Sequence, residues 1–139
     1  MRKYALCVHR IPVGVFGASG YAGRELCSLI NAHPQLELVY ATANSQRGER
    51  AWLGGRDVSF VAPDDAPIRQ AELVFSALPH GASASWIARA RAEGVRAIDL
   101  SSDLRPGHGA HHVPYGLTEV AREQLRGAEV IANPGCYPT

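Results

Sequence analysis

The sequence predicts an α/β fold with a doubly wound, mostly parallel sheet, on three observations. Strand-like apolar runs alternate with segments of helical periodicity along the chain. The composition, 46% hydrophobic and 19% charged with 14 glycines, is typical of a globular protein. The length of 139 residues leaves room for one domain. In such folds ligands bind beyond the carboxyl ends of the strands, so functional residues are expected in the loops that follow them.

A strand–helix–strand unit begins the fold. β-branched and aromatic residues predict a first strand at Ile11–Phe16 and a second at Leu36–Thr42. Between them, Gly20–His33 has apolar residues at helical spacing, which predicts one buried face formed by Leu26, Leu29 and Ile30. A unit of this kind, about 30 residues long, makes its two strands parallel.

The rest of the chain repeats this alternation. Further strands are predicted at Val58–Val61, Glu72–Leu78, Arg96–Leu100 and Glu129–Ala132. Helices are predicted at Ala82–Glu93, with Trp86, Ile87 and Ala90 inward, and at Thr118–Leu125, with Thr118 as its cap. Polar, glycine-containing stretches predict loops at Ala43–Gly55 and Arg105–Tyr115.

Charge and cysteine content argue against several classes of protein. The 14 basic and 13 acidic residues are spread along the chain, so neither a nucleic-acid-binding arm nor a membrane-binding surface is predicted. No apolar run approaches the roughly 18 residues of a membrane span, and Tyr4–Val8 is too short for a signal peptide. We therefore expect a cytoplasmic protein. Three well-separated cysteines do not form a disulfide framework, and Cys7 and Cys27 are predicted to be core thiols.

A glycine-rich turn joins the first predicted strand to its helix, the setting of a Rossmann-type dinucleotide site. Gly17 permits the tight turn, Gly20 lets the backbone approach a pyrophosphate, and Gly23 allows close packing of helix on strand. The free N–H groups at the start of the helix attract the phosphates, and Ser19 adds a hydroxyl donor. The alternative is a tight turn that binds nothing.

The end of the second strand predicts which dinucleotide binds. NAD enzymes usually carry a carboxylate about 20 residues beyond the glycines, to bind the ribose hydroxyls. Here the stretch 42–47 reads Thr-Ala-Asn-Ser-Gln-Arg and has no carboxylate. The Ser45 hydroxyl and the Arg47 guanidinium suit a 2′-phosphate, which predicts NADP. The alternative is that Arg47 and Arg50 are solvated loop cations.

A cysteine follows the last predicted strand, in the stretch 133–139 that reads Asn-Pro-Gly-Cys-Tyr-Pro-Thr. Gly135 and Pro138 predict a sharp turn that places Cys136 at the start of a new helix, where the helix dipole favours the thiolate. Cys136 is therefore a candidate nucleophile. The alternative is a buried structural thiol.

Five motifs, in this order and spacing, resemble the N-acetyl-gamma-glutamyl-phosphate reductases of arginine biosynthesis. They are the glycine turn, Ala77-Leu-Pro-His-Gly81, Asp99-Leu-Ser-Ser-Asp103, Tyr115-Gly-Leu and the closing cysteine motif, and together they cover nearly the whole chain. The resemblance implies that Cys136 is the nucleophile and that the NADP site contains Gly17, Ser19, Gly20, Tyr21, Ala22, Ala77, Leu78 and Pro79. Arg105, by a more distant resemblance to semialdehyde dehydrogenases, is expected beside the substrate phosphate together with Asn133.

The resemblance also implies a reaction mechanism and a second, substrate domain of the same protein. The Cys136 thiolate attacks an acyl phosphate, phosphate leaves, and the thioester is reduced to the semialdehyde. The general base is expected from a substrate domain after Thr139, with His80 as the nearest substitute within residues 1–139. Those residues are thus expected to bind NADP without catalysing alone, as part of a homo-oligomer in the full-length protein.

Other assignments stay open. The related reductase of carrier-protein lysine biosynthesis shares this chemistry on an aminoadipyl phosphate, and a non-catalytic NADPH-binding module is a further alternative. Short-chain dehydrogenases need a Tyr-x-x-x-Lys pair, whereas the only lysine is Lys3. A zinc site at His108, His111 and His112 is disfavoured, because these residues stand in a Pro/Gly-rich loop without regular spacing.

Overall fold

The computed structural model describes residues 9–108 and 112–136, which form one sheet flanked by helices. Its strands are β1 Ile11–Phe16, β2 Leu36–Thr42, β3 Arg50–Leu53, β4 Arg56–Val61, β5 Leu73–Ser76, β6 Arg96–Asp99 and β7 Val130–Ala132. Its α-helices are α1 Tyr21–Ala32, α2 Ser83–Ala92 and α3 Thr118–Leu125, with short 3-10 turns at Pro63–Asp65 and Ile68–Gln70. Within the described ranges, no helix has the length and apolar character needed to cross a membrane.

The strand order is β3-β4-β2-β1-β5-β6-β7, and every neighbouring pair is parallel except β3 and β4. From β1 the chain passes to β2 and then to the β3–β4 hairpin on the same side of β1. It then crosses to the other side of β1 and continues outward through β5, β6 and β7. This confirms the predicted doubly wound, Rossmann-type sheet. The winding direction reverses between β1 and β5, and ligands of such sheets bind in the crevice at that point.

Each face of the sheet carries its own apolar layer. Between α1 and the sheet, the side chains of Val15 on β1 and of Cys27 and Ile30 on α1 are almost completely buried. Between α2 and the sheet, the same holds for Phe16 on β1 and Ile87 on α2. Cys27 is thus a core thiol as predicted, and burial raises its pKa to about 12. Since a thiol with so high a pKa is not ionised near neutral pH, Cys27 is a poor nucleophile.

Three predictions about local structure are wrong. The segment Ala43–Gly55 is not all loop, because β3 pairs with β4 through a tight turn at Gly54 and Gly55, both with positive φ. Leu29 is 59% exposed, since α1 packs on the sheet along the line of Cys27 and Ile30. Thr118 is the first residue of α3 rather than its cap, because Leu117 has the extended backbone of the cap position.

Candidate functional site

A cleft of about 790 Å³ lies at the carboxyl ends of β1, β2 and β5, where the winding direction reverses. This volume is within the range of small-molecule and cofactor sites. Of the residues predicted to bind the cofactor, the cleft is lined by Gly17, Ser19, Gly20, Tyr21, Ala22, Ser45, Ala77, Leu78 and Pro79. Sequence reasoning missed five further lining residues, namely Asn44, Pro63, Asp64, Ala82 and Trp86.

The three glycines of the turn are under different constraints. Gly17 has φ +75°, and a Cβ there would lie 2.7 Å from the Ala77 carbonyl oxygen. A Cβ on Gly23 would lie 2.2 Å from the Gly17 carbonyl oxygen, because α1 packs tightly on the turn. A Cβ on Gly20 would meet nothing nearer than 3.9 Å. The fold therefore requires Gly17 and Gly23, whereas Gly20 is free of such constraint and faces the cleft.

The ends of two neighbouring strands hold the glycine turn in place. Thr42, fully buried at the end of β2, accepts hydrogen bonds from Gly17 N–H through its hydroxyl (3.2 Å) and from Ala18 N–H through its carbonyl (2.8 Å). On the other side, Ala77 N–H donates to the Phe16 carbonyl (2.9 Å). These contacts fix the turn across the mouth of the sheet.

The two helices that start beside the cleft differ in their N-termini. α1 begins after Gly20 with no side-chain cap. At the start of α2, the Asp103 carboxylate accepts the N–H groups of Gly81 (2.6 Å), Ser83 (2.9 Å) and Ala84 (3.1 Å). Desolvation alone would raise the pKa of Asp103, but these donors and Ser101 hold it below its ordinary value of 3.8. The start of α1 carries no such carboxylate, so of the two helix starts it is the more favourable for an anion.

Arg24 links the glycine turn to the loop after β2, a role that the sequence did not suggest. Its Nε donates to the Ser19 carbonyl (3.0 Å) and its Nη2 to Gln46 Oε1 (3.3 Å). Ser45, the residue before Gln46, lies in the cleft wall. Arg47 is exposed on the same turn and is not among the residues that line the cleft.

The predicted phosphate residues lie together at the start of the cysteine turn, residues 133–136. Asn133 N–H donates to the Asp99 carbonyl (2.8 Å). Arg105 Nε donates to the Asn133 carbonyl (3.1 Å) and its Nη2 to the Leu100 carbonyl (3.0 Å). Cys136 is exposed at the end of this turn. The predicted helix start at Pro138 lies outside the described residues.

A buried polar network joins α2 to β5 and β6, between the cleft and the cysteine turn. The fully buried Asp99 carboxylate accepts Ser83 Oγ (2.6 Å), and also Ser101 N–H and Oγ (both 2.9 Å). Ser83 Oγ also lies 2.6 Å from Ser76 Oγ. Because Ser83 has one hydroxyl proton, which it gives to Asp99, Ser76 is the donor in that second bond. Each polar partner is thus satisfied, and the network ties the start of α2 to the ends of β5 and β6.

His80, His108 and His112, which the sequence offers as a base or as zinc ligands, do not line the cleft. His80 Nδ1 accepts the Ser102 N–H (2.9 Å), so this nitrogen is occupied in holding a loop. His108 and His112 are exposed, and His111 lies outside the described residues. No group of three potential metal ligands occurs among residues 9–108 and 112–136.

The match to a family model decides the relationship of this chain. Residues 12–128 match the model described as "Semialdehyde dehydrogenase, NAD binding domain". The chain belongs to this family. The match runs from β1 almost to β7 and contains the glycine turn and every residue that lines the cleft.

Among curated proteins, the chain is similar to enzymes named N-acetyl-gamma-glutamyl-phosphate reductase. It is 34% identical to the one from Archaeoglobus fulgidus, with 91% of this chain and 44% of that protein covered. It is 38% identical to the one from Moorella thermoacetica, with 93% and 44% covered. The chain therefore spans less than half the length of these relatives.

Solved structures show the same fold. Aspartate semialdehyde dehydrogenase II of Vibrio cholerae superimposes with a TM-score of 0.79 at 22% identity, over 92% of this chain and 42% of that one. The aspartate semialdehyde dehydrogenase of Candida albicans, solved with NADP, has a TM-score of 0.69 at 16% identity, over 88% of this chain and 42% of that one. The domain is thus an NAD(P)-binding fold of the semialdehyde dehydrogenase type.

Proposed function

We propose that this chain is the NADP-binding and nucleophile-bearing part of an N-acetyl-gamma-glutamyl-phosphate reductase, which forms N-acetylglutamate 5-semialdehyde and phosphate through a cysteine thioester. The observation that carries the proposal is the cysteine turn at the same sheet edge as the dinucleotide cleft. The curated relatives, at 34% and 38% identity, support the choice of substrate.

The residues of the cleft fit a dinucleotide phosphate. Gly20 and the start of α1 would hold the pyrophosphate, because they offer open backbone and the positive end of a helix. Ser45 and Arg47 would hold the 2′-phosphate, in a stretch that has no carboxylate to repel it. Ala77, Leu78 and Pro79 form the apolar wall toward β5. NADPH, when bound, supplies the hydride that reduces the acyl group.

The cysteine turn supplies the covalent chemistry. Cys136 Sγ attacks the acyl carbon of the acyl phosphate, the carbon–oxygen bond to phosphate breaks, and inorganic phosphate leaves with its electrons. The acyl group remains on sulfur as a thioester until reduction releases the aldehyde and restores the thiolate. Arg105, next to Asn133 at the start of this turn, would hold the departing phosphate with a charge-assisted hydrogen bond.

The reaction as proposed also needs a general base. Among the described residues, His80 is engaged with Ser102, so we propose that the general base comes from a substrate domain outside residues 1–139. We further propose that residues 1–139 bind NADP but do not turn over, and that the full-length enzyme is a homo-oligomer.

Cys136→Ser in the full-length protein tests the proposal. We expect turnover to fall on the order of 10³-fold or more, as when other enzymes lose their nucleophile. NADPH affinity should stay within about twofold, because Cys136 lies outside the lining of the cleft. Turnover is followed in the reverse direction, from the semialdehyde, phosphate and NADP, by the absorbance of the NADPH formed at 340 nm. Affinity is measured by NADPH fluorescence. Cys27→Ala is the matched control, since it removes a thiol that is buried in the core.

Two outcomes separate the alternatives. If Cys136→Ser retains turnover, the thioester mechanism is wrong. If the wild-type protein binds NADPH but turns over neither N-acetylglutamyl nor carrier-linked aminoadipyl substrate, the chain is a binding module. Turnover of the aminoadipyl substrate alone assigns the enzyme to lysine biosynthesis.

A further inference from the structure

A short segment ahead of α3 lies along the outer edge of β7. Tyr115 forms an isolated parallel bridge with Ala132, and Gly116 N–H donates to the Ala132 carbonyl (2.8 Å). Ala132 N–H in turn donates to the Pro114 carbonyl (3.0 Å). Residues 114–116 therefore extend the sheet by one residue pair, directly before the cysteine turn.

The fit of this segment is tight. A Cβ on Gly116 would lie 3.0 Å from Ile131 Cγ2 and 3.2 Å from Pro134 Cδ. A side chain at position 116 would crowd these two residues, so glycine lets the segment lie close to β7 and to the start of the cysteine turn. The hydrogen bonds to Ala132 then hold Tyr115 beside that turn.

The Tyr115 side chain reaches past this bridge to the cysteine turn itself. Its hydroxyl oxygen accepts the N–H of Gly135 at 3.2 Å. Gly135 is buried and immediately precedes Cys136, whose side chain is exposed. The other end of the turn is held from the opposite side, where Asp99 and Arg105 contact the backbone of Asn133.

We propose that Tyr115 is a positioning residue for Cys136, a role that rests on the proposed function. Tyr115 holds the second half of the turn while Asp99 and Arg105 hold the first, so the Cys136 thiolate is presented in one orientation. Reacting atoms must meet within a few tenths of an ångström of the productive geometry, and a displacement of about 1 Å can cost about 100-fold in rate. Tyr115 thereby contributes to turnover without touching substrate or cofactor.

Tyr115→Phe in the full-length enzyme tests this role, because it removes one oxygen atom and keeps the ring. We expect kcat to fall about 10- to 100-fold, while KM for NADP and for the semialdehyde and the melting temperature stay near the wild-type values. Tyr40→Phe is the matched control. It removes the buried hydroxyl of a different tyrosine, one without a hydrogen-bond partner among the described residues, on the face of the sheet beneath α2.

Other results overturn the inference. An unchanged kcat shows that the hydrogen bond does not position the nucleophile. A fall in melting temperature, loss of folding, or a parallel rise of both KM values shows that the hydroxyl is structural. Assaying Cys136→Ser beside Tyr115→Phe distinguishes failure of the positioning role from failure of the proposed function. If Cys136→Ser is inactive and Tyr115→Phe is fully active, the positioning role fails while the proposed function stands.

Discussion

In the proposed preference for NADP, the charged contact comes from one exposed side chain, Arg47. In the proposed site its guanidinium forms a charge-assisted hydrogen bond with the 2′-phosphate, a contact worth about 1.5–3 kcal/mol. Arg47→Ala should therefore raise the dissociation constant for NADPH about 10- to 100-fold. The constant for NADH should stay within about twofold, because NADH lacks that phosphate. Fluorescence titration of both cofactors measures the difference.

Arg50→Ala is the control for this change. Arg50 is also an exposed arginine near the loop after β2, but it pairs with Asp57 across the β3–β4 hairpin. Its removal should leave both affinities unchanged. Equal weakening of NADPH and NADH by Arg47→Ala would mean that Arg47 acts on the shape of the loop rather than on the 2′-phosphate.

Single residues differ in how well the sequence reveals their roles. The need for glycine at positions 17 and 23 can be predicted from the motif, because a tight turn between strand and helix requires it. The short distances that a Cβ would have at both positions agree with this prediction. Arg24 and Tyr115 could not be assigned in this way. Their partners, Gln46 and Gly135, are about 20 residues away in the chain and come close only after the sheet has formed.

The glycine turn offers a test at the level of a local element. Gly20→Ala places a methyl group on the cleft side of the turn, where the nearest protein atom is 3.9 Å away and φ is −73°. The fold should accept it, with the melting temperature within about 2 °C of wild type. Binding of NADPH and NADH should weaken equally, about tenfold or more, because the methyl group would obstruct the proposed pyrophosphate position.

Gly23→Ala is the comparison for that variant. Its methyl group would overlap the Gly17 carbonyl at 2.2 Å, so the protein itself should be destabilised. If Gly20→Ala leaves cofactor binding intact, the turn is not the pyrophosphate site, and the alternative of a tight turn without a ligand gains support.

The start of α2 depends on a carboxylate from another loop. Asp103→Ala removes the acceptor for three backbone N–H groups and should lower the free energy of unfolding by about 1 kcal/mol at pH 7. Because the folded-state pKa of Asp103 is below 3.8, its stabilisation is complete above that pH and is lost as the pH falls through the folded-state pKa.

Urea unfolding of wild type and Asp103→Ala at pH 7 and at about pH 3 measures this dependence. The difference between the two proteins should shrink at the lower pH. The exposed Asp65 provides the control, since Asp65→Ala should change the free energy of unfolding little at either pH. A difference that grows on acidification would show that Asp103 is not a cap.

Elements with strong local signals were predicted well from the sequence. β1 and β2 have the predicted bounds, and α1 and α2 differ from prediction only at their capping residues. β3 was missed because its four residues have little apolar alternation, and it forms by pairing with β4. Trp52 on β3 is 74% exposed, so its large apolar side chain gave no guide to burial.

At the scale of the whole molecule, strand register places the two parts of the proposed site, the glycine turn and the cysteine turn, at the same height on the sheet edge. Phe16, Ser76, Asp99 and Ala132 pair in one row across β1, β5, β6 and β7. The glycine turn and the cysteine turn begin immediately after this row. With strands about 4.8 Å apart, they start roughly 14 Å from each other along the sheet edge. The two turns are thus separated by a fixed span of sheet rather than by flexible chain.

This arrangement predicts how a protein of residues 1–139 should behave by itself. The cleft is formed wholly by these residues, so NADPH should bind and should raise the melting temperature as its concentration increases. Turnover should be below about 10⁻³ of the full-length rate, because the proposed general base and substrate domain lie outside them. Thermal unfolding with and without NADPH, and a reverse assay at 340 nm, measure the two properties. Turnover comparable to that of the full-length protein would mean that residues 1–139 contain their own general base, and His80 would then be the first residue to replace.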